Sequence, residues 1–127
     1  MRYTLASMLA LVALLPAAQA ETKSKCPIAG TYGVSGQGAR GELYHGEATI
    51  SDNGIGCYIK WGEPNNSEGT GKYSHNTLTV NFSLDGDPGI VSYKRQSTGE
   101  LRGVWWMESD PDQKGKESLF PKSLAAQ

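Results

Sequence analysis

The sequence predicts an all-β protein: a small antiparallel up-and-down barrel of about eight strands, held by one disulfide. Three observations carry that prediction. Apolar residues recur with a period of two, and turn-forming residues interrupt them roughly every eight to twelve positions. The third is the 16 glycines of the 127-residue chain, which disfavour long helices and favour short strands joined by tight turns.

Before the strands comes a segment of another kind. Arg2 supplies a positive start, Leu5 to Leu15 an apolar stretch, and Ala18-Gln19-Ala20 a small-x-small cleavage site, so residues 1–20 read as a signal peptide and 21–127 as a single barrel domain. The apolar stretch is about half as long as a membrane-spanning helix requires, and membrane insertion is not expected. Cys26 follows Lys23-Ser24-Lys25, not the small apolar approach of a lipoprotein acceptor. The expected destination is the periplasm or the exterior of a bacterium, both oxidising. Cys26 and Cys57 are the only 2 cysteines, so they are expected to pair. With a lean supply of aliphatic residues, that bond and the aromatic side chains are what oppose disorder.

The strands follow in order. Gly30, Tyr32 and Val34 alternate in a first strand, and after a glycine-rich turn Tyr44, Gly46, Ala48 and Ile50 alternate in a second. Asp52-Asn53-Gly54 is a hairpin signal, because asparagine and glycine accept the positive φ of hairpin turns. Cys57, Ile59 and Trp61 share one face of a third strand, and Gly62 to Glu68 is a loop. A weaker fourth strand runs from about Gly69 to Ser74, and His75-Asn76 turns into Leu78, Val80 and Phe82, the most regular alternation in the chain. Asp85-Gly86-Asp87-Pro88-Gly89 ends that strand, and Val91 and Tyr93 mark the sixth. Ser97-Thr98-Gly99 precedes a seventh with Leu101, Gly103, Trp105 and Met107 on one face. A polar loop from Glu108 to Lys116 leads to a closing strand from Glu117 to Phe120. Closing this meander removes the exposed edges of an open sheet, and glycines within strands (Gly46, Gly71, Gly103) admit sharp coiling and a facing aromatic ring. Such a barrel is either filled by its own side chains or holds one small ligand.

Several chemistries are set aside on spacing. Gly36 to Gly41 satisfies G-x-G-x-x-G, but a strand follows it where the phosphate-binding fingerprint needs a helix. Asp85 to Gly89 resembles the start of a calcium loop, but Gln96 stands where the bidentate glutamate belongs. Ser35 lacks the second glycine of a nucleophile elbow. His45, expected to face solvent, and His75 have no histidine partner at metal-ligand spacing, so no metal and no cofactor is expected. Glu42, Glu47, Glu108 and Glu117 are read as outward, solubilising residues, and catalysis is not expected. The 12 basic residues are scattered and balanced by 13 acidic ones, without the basic stripe that nucleic acid requires.

The aromatic residues carry the functional signal. Alternation assigns Tyr32, Tyr44, Trp61, Tyr73, Tyr93 and Trp105 to the interior and Tyr58 and Trp106 to the outside. Trp106, beside Val104, then makes an exposed apolar patch or a subunit contact. The loops after the third and seventh strands leave from the same end, so one rim is expected to carry Trp61, Pro64, Asn65, Asn66, Trp106, Asp110 and Asp112. This surface suits a sugar or a basic protein segment. The expected class is a non-enzymatic exported binding protein with a host or envelope macromolecule, protein or carbohydrate, as its partner. A barrel for a small apolar or sugar ligand is the next choice. The third is an inhibitor of an exported hydrolase that uses Glu21 to Lys25 as a plug.

Two resemblances bear on this. Ile28-Ala29-Gly30-Thr31-Tyr32 is similar to the opening strand of avidin-like and lipocalin-like barrels, with Tyr32 in place of their tryptophan across the closed end. Most of the chain after residue 20 resembles small exported bacterial proteins of unknown function, some labelled fibronectin-binding. That likeness rests on Tyr44-x-Gly46, Ile50, Gly54, Tyr58, Trp61, Gly69-x-Gly71, Leu78-x-Val80, Tyr93, Leu101-x-Gly103-x-Trp105 and Gly115-x-Glu117-x-Leu119-x-Pro121. It implies an adhesive role without assigning any residue to it.

Overall fold

The computed structural model describes residues 24–122; the signal segment and Glu21 to Lys23 lie outside them. Eight strands follow in chain order: β1 (Gly30–Gln37), β2 (Leu43–Asp52), β3 (Cys57–Trp61), β4 (Ser67–Ser74), β5 (Thr77–Leu84), β6 (Asp87–Arg95), β7 (Leu101–Met107) and β8 (Lys114–Pro121). Each pairs antiparallel with the next, and β8 pairs back onto β1, which closes the barrel. Period-two alternation therefore meets its architecture, and among the described residues no helix is long and apolar enough to cross a membrane.

The turns account for the register. His75 and Asn76, at φ 53° and 61°, form the two-residue turn between β4 and β5. Asp85 and Gly86 do the same between β5 and β6, with Leu84 opposite Asp87. Paired positive φ values match the twist of the flanking strands. The segment Asp87-Pro88-Gly89, expected to be turn, is thus the start of β6. Pro88 is tolerated there at the first residues of the strand. The hairpin at Asp52 has a longer loop, in which Asn53 Oδ1 accepts from the backbone N–H groups of Ile55 and Gly56. The polar loops before β4 and β8 are also shorter than expected, since those strands begin at Ser67 and Lys114.

Side chains fill the inside of the barrel toward one end, where a groove of about 410 Å³ also runs along the segment ahead of β1, between it and the turn from Arg95 to Gly99. Ile50, Ile59, Leu78, Val80, Leu101 and Leu119 are fully or almost fully buried, and the segment ahead of β1 covers this end with Cys26 and Ile28. Cys26 is bonded to Cys57, as expected, and the pair joins that segment to the start of β3. Asp52 secures it further by accepting from Ser24 Oγ and the Lys25 N–H, and Tyr32 donates to the Ile28 carbonyl at 2.6 Å. The hydrogen bond from the Gly54 N–H, followed by those from the Lys25 N–H and Ser24 Oγ, holds the Asp52 carboxyl below its usual range. Disulfides of this kind persist in oxidising compartments.

Candidate ligand-binding cavity

The other end, where the odd-numbered strands leave, is hollow. A cavity of about 280 Å³ opens there, reached past Gly38 and Glu42 after β1, Asn65 after β3 and Leu84 at the end of β5. Both outcomes foreseen for a small barrel thus occur, filled at one end and open at the other.

Register explains why the open half is not filled by its own aromatic rings. Tyr44 lies opposite Gly36, Phe82 opposite Gly89, Tyr93 opposite Gly103 and Trp105 opposite Gly115. At each of these glycines an added Cβ would run into the facing ring, so every ring lies down over its glycine and against the barrel wall. Trp61 sits between Ala48 and Ser67, again small residues, and meets Phe82 edge-on with centroids 5.6 Å apart. Of the three glycines expected to face rings, only Gly103 does. A Cβ at Gly46 would meet the Glu63 carbonyl and one at Gly71 the Thr79 carbonyl, so these two admit a close backbone approach. Substituting Gly36→Ala should therefore push the Tyr44 ring into the cavity and lower stability by about 1–3 kcal/mol, read from the denaturation midpoint.

Glu117 is the one charged side chain buried among the described residues, at 6% exposure. Its reading as an outward, solubilising residue is corrected: it shares the inner face of β8 with Gly115 and Leu119. Burial of a carboxylate is tolerated only with partners, and three donors converge here. Tyr44 donates to Oε1 at 2.8 Å, Trp61 Nε1 donates to Oε2 at 2.8 Å, and the Tyr93 hydroxyl also donates to Oε2. Burial pushes the Glu117 carboxyl above the ordinary range, against the lowering effect of those hydrogen bonds. Burial, and then the neighbouring Glu117, hold both the Tyr93 and Tyr44 hydroxyls protonated well beyond neutral pH. The Trp105 indole N–H is buried beside this group and has no hydrogen-bond partner of good geometry.

A carboxyl with a raised folded-state pKa holds its proton more tightly in the folded chain. Stability from this group is therefore full below about 4.5, the ordinary glutamate value, and declines as pH rises through the folded-state value. Denaturation midpoints across that range should show the decline in the wild type and a flatter profile in Glu117→Gln. Asp52, with a lowered pKa, acts oppositely, and its contribution is lost as pH falls below about 3.8.

The rim residues anticipated from sequence divide between inside and outside. Trp61 is buried within the barrel at 5% exposure, and Asn65 lines the same cavity. Asn66, Asp110 and Asp112 are exposed in the loops after β3 and β7. Those loops leave from one end, as expected, although their strands stand four apart in the closed ring of eight. Trp106 faces outward between Ile90 and Lys114, whose Nζ lies 4.6 Å from the ring centroid. The register also gathers Lys94, Arg102, Lys114 and Lys116, scattered in the linear sequence, on the outer wall of β6 to β8 around Val104 and Trp106. Arg102 is paired there with Glu100 at 3.2 Å. His45 is exposed, and Gly36 to Gly41 forms the end of β1 and the turn after it.

Comparison with family models, with curated proteins and with solved structures returns no match to this chain.

Proposed function

We propose that this is an exported, non-enzymatic binding protein of the periplasm or exterior, and that its site is the cavity at the open end of the barrel, which takes a small ligand. The observation that carries the reading is the cavity itself: about 280 Å³, walled by aromatic rings, with a buried carboxylate and an unpartnered indole N–H beside it. Concave apolar sites with a few convergent polar groups are the usual form of small-molecule sites. The filled end and its disulfide-anchored cover leave the rim at Glu42, Asn65 and Leu84 as the approach. This ranks the small ligand ahead of the macromolecule that the sequence alone favours. Native mass spectrometry of protein purified from its source is the test. A retained small molecule supports the reading. A clean mass, together with no response to a panel of small fragments, contradicts it.

A macromolecular partner is the second reading, in keeping with the resemblance to exported proteins labelled fibronectin-binding. The exposed Asn66, Asp110 and Asp112 at the open end, and Trp106 on the outer wall, favour it. Alanine at Trp106, and separately at Asn65 and Asn66, should abolish partner capture without unfolding the chain if this reading holds; unchanged capture in both variants removes it. A plug-type inhibitor finds less support, since Ser24 and Lys25 are engaged by the protein's own Asp52.

A further inference from the structure

The cavity has a charge problem that its own residues leave unsolved. Glu117 is buried with three partners, all of them neutral, and among the described residues the cavity lining includes no lysine, arginine or histidine. The other ionisable carboxylate of the lining is Glu42, which adds a second negative charge at the mouth. Neutral hydrogen bonds offset part of the cost of burying a carboxylate, and a counter-charge offsets the rest.

We infer that the cavity takes a small organic ammonium ion, its charge set against the Glu117 carboxylate and its alkyl groups against the aromatic walls. The inference rests on the reading of the cavity as a ligand site. Tyr44, Trp61, Phe82, Tyr93 and Trp105 surround the space, and ring faces attract cations most strongly where water is excluded. An anionic ligand would meet two like charges. A wholly apolar ligand would complete the desolvation of Glu117 and return nothing for it.

Hydrogen bonding narrows the class. A carboxylate has about four acceptor positions, and three donors already approach this one. The site therefore offers charge and ring faces more than free acceptors, which suits an alkylated ammonium over a primary one. At about 280 Å³ the space sits at the small end of ligand sites, so the molecule has few heavy atoms.

Choline and its neutral carbon isostere 3,3-dimethylbutan-1-ol have one shape and differ in charge, so titrating each into the intact protein by calorimetry isolates the charge. The expected result is choline binding at least about tenfold more tightly than the isostere. In Glu117→Gln that preference should be lost. Glu42→Gln, which keeps an oxygen to accept from the Arg40 N–H, should weaken choline by a smaller factor, and the isostere less than choline. If Glu117→Gln does not fold, the wild-type comparison and Glu42→Gln decide the matter together. Equal binding of the two probes overturns the ammonium inference while leaving the cavity as a ligand site. Binding of neither also overturns it, and the cavity reading is then judged separately, by the retained molecule in native mass spectrometry.

Discussion

Replacing Glu117 by leucine should lower the stability of the barrel by about 3–5 kcal/mol, because it leaves buried donors without an acceptor. The Tyr93 hydroxyl and the Trp61 indole N–H donate to Oε2 and the Tyr44 hydroxyl to Oε1; Tyr93 is fully buried and Trp61 nearly so, whereas Tyr44 is only partly buried and turns more readily to water. Removal of the carboxyl's own desolvation offsets part of the loss and keeps the total below the sum of three broken bonds. Urea denaturation reads the effect as a lowered midpoint. Coupling is the sharper check. Adding Tyr93→Phe to Glu117→Leu should cost little further, since the hydroxyl it removes is already stranded, whereas Tyr93→Phe in the wild type should cost more. Equal costs in the two backgrounds would mean that Glu117 and Tyr93 do not act together.

Loss of the disulfide is the second large effect. Cys26 and Cys57 are 31 residues apart in sequence, and closing a loop of that size is worth about 3–4 kcal/mol through the unfolded chain. The folded state loses as well, because the bond anchors the segment that carries Cys26 and Ile28 over the filled end of the barrel. The double variant Cys26→Ser, Cys57→Ser should therefore melt roughly 15–25 °C below the wild type, by the usual proportion for a domain of about a hundred residues. Thermal scans with and without reductant should reproduce the difference in the wild-type chain. Two free thiols in the intact mass of the mature protein would contradict the premise.

What the sequence makes legible is whatever depends on neighbours along the chain. Alternation at Leu78, Val80 and Phe82, or at Leu101, Gly103 and Trp105, reports which face is buried, and turn residues such as His75-Asn76 report where strands reverse. The strand count, the closed meander, the inner aromatic set and the disulfide follow from such signals. Asp87-Pro88-Gly89 misleads because its composition is that of a turn, while two residues, Asp85 and Gly86, suffice to reverse the chain.

Glu117 misleads for a deeper reason. Alternation with Leu119 places it inside, but a lone carboxylate is among the rarest of buried groups. The donors that make its burial tolerable lie 24, 56 and 73 residues away in sequence, and only closure of the barrel brings them together. The cavity is hidden in the same way. That Tyr44, Phe82, Tyr93 and Trp105 each face a glycine is a property of register, which fixes whether a ring crosses the lumen or lies along the wall.

The chain's 3 tryptophans provide the direct test of the claim that the interior of the open end is the binding site. Trp61 and Trp105 line the cavity and Trp106 stands on the outer wall. Their three indole N–H signals can be followed separately in ¹H–¹⁵N spectra of the labelled protein while a panel of small fragments, charged and neutral, is added. The account predicts that fragments which bind shift the Trp61 and Trp105 signals and leave that of Trp106 in place. A response confined to Trp106, or the absence of any response across the panel, would contradict it.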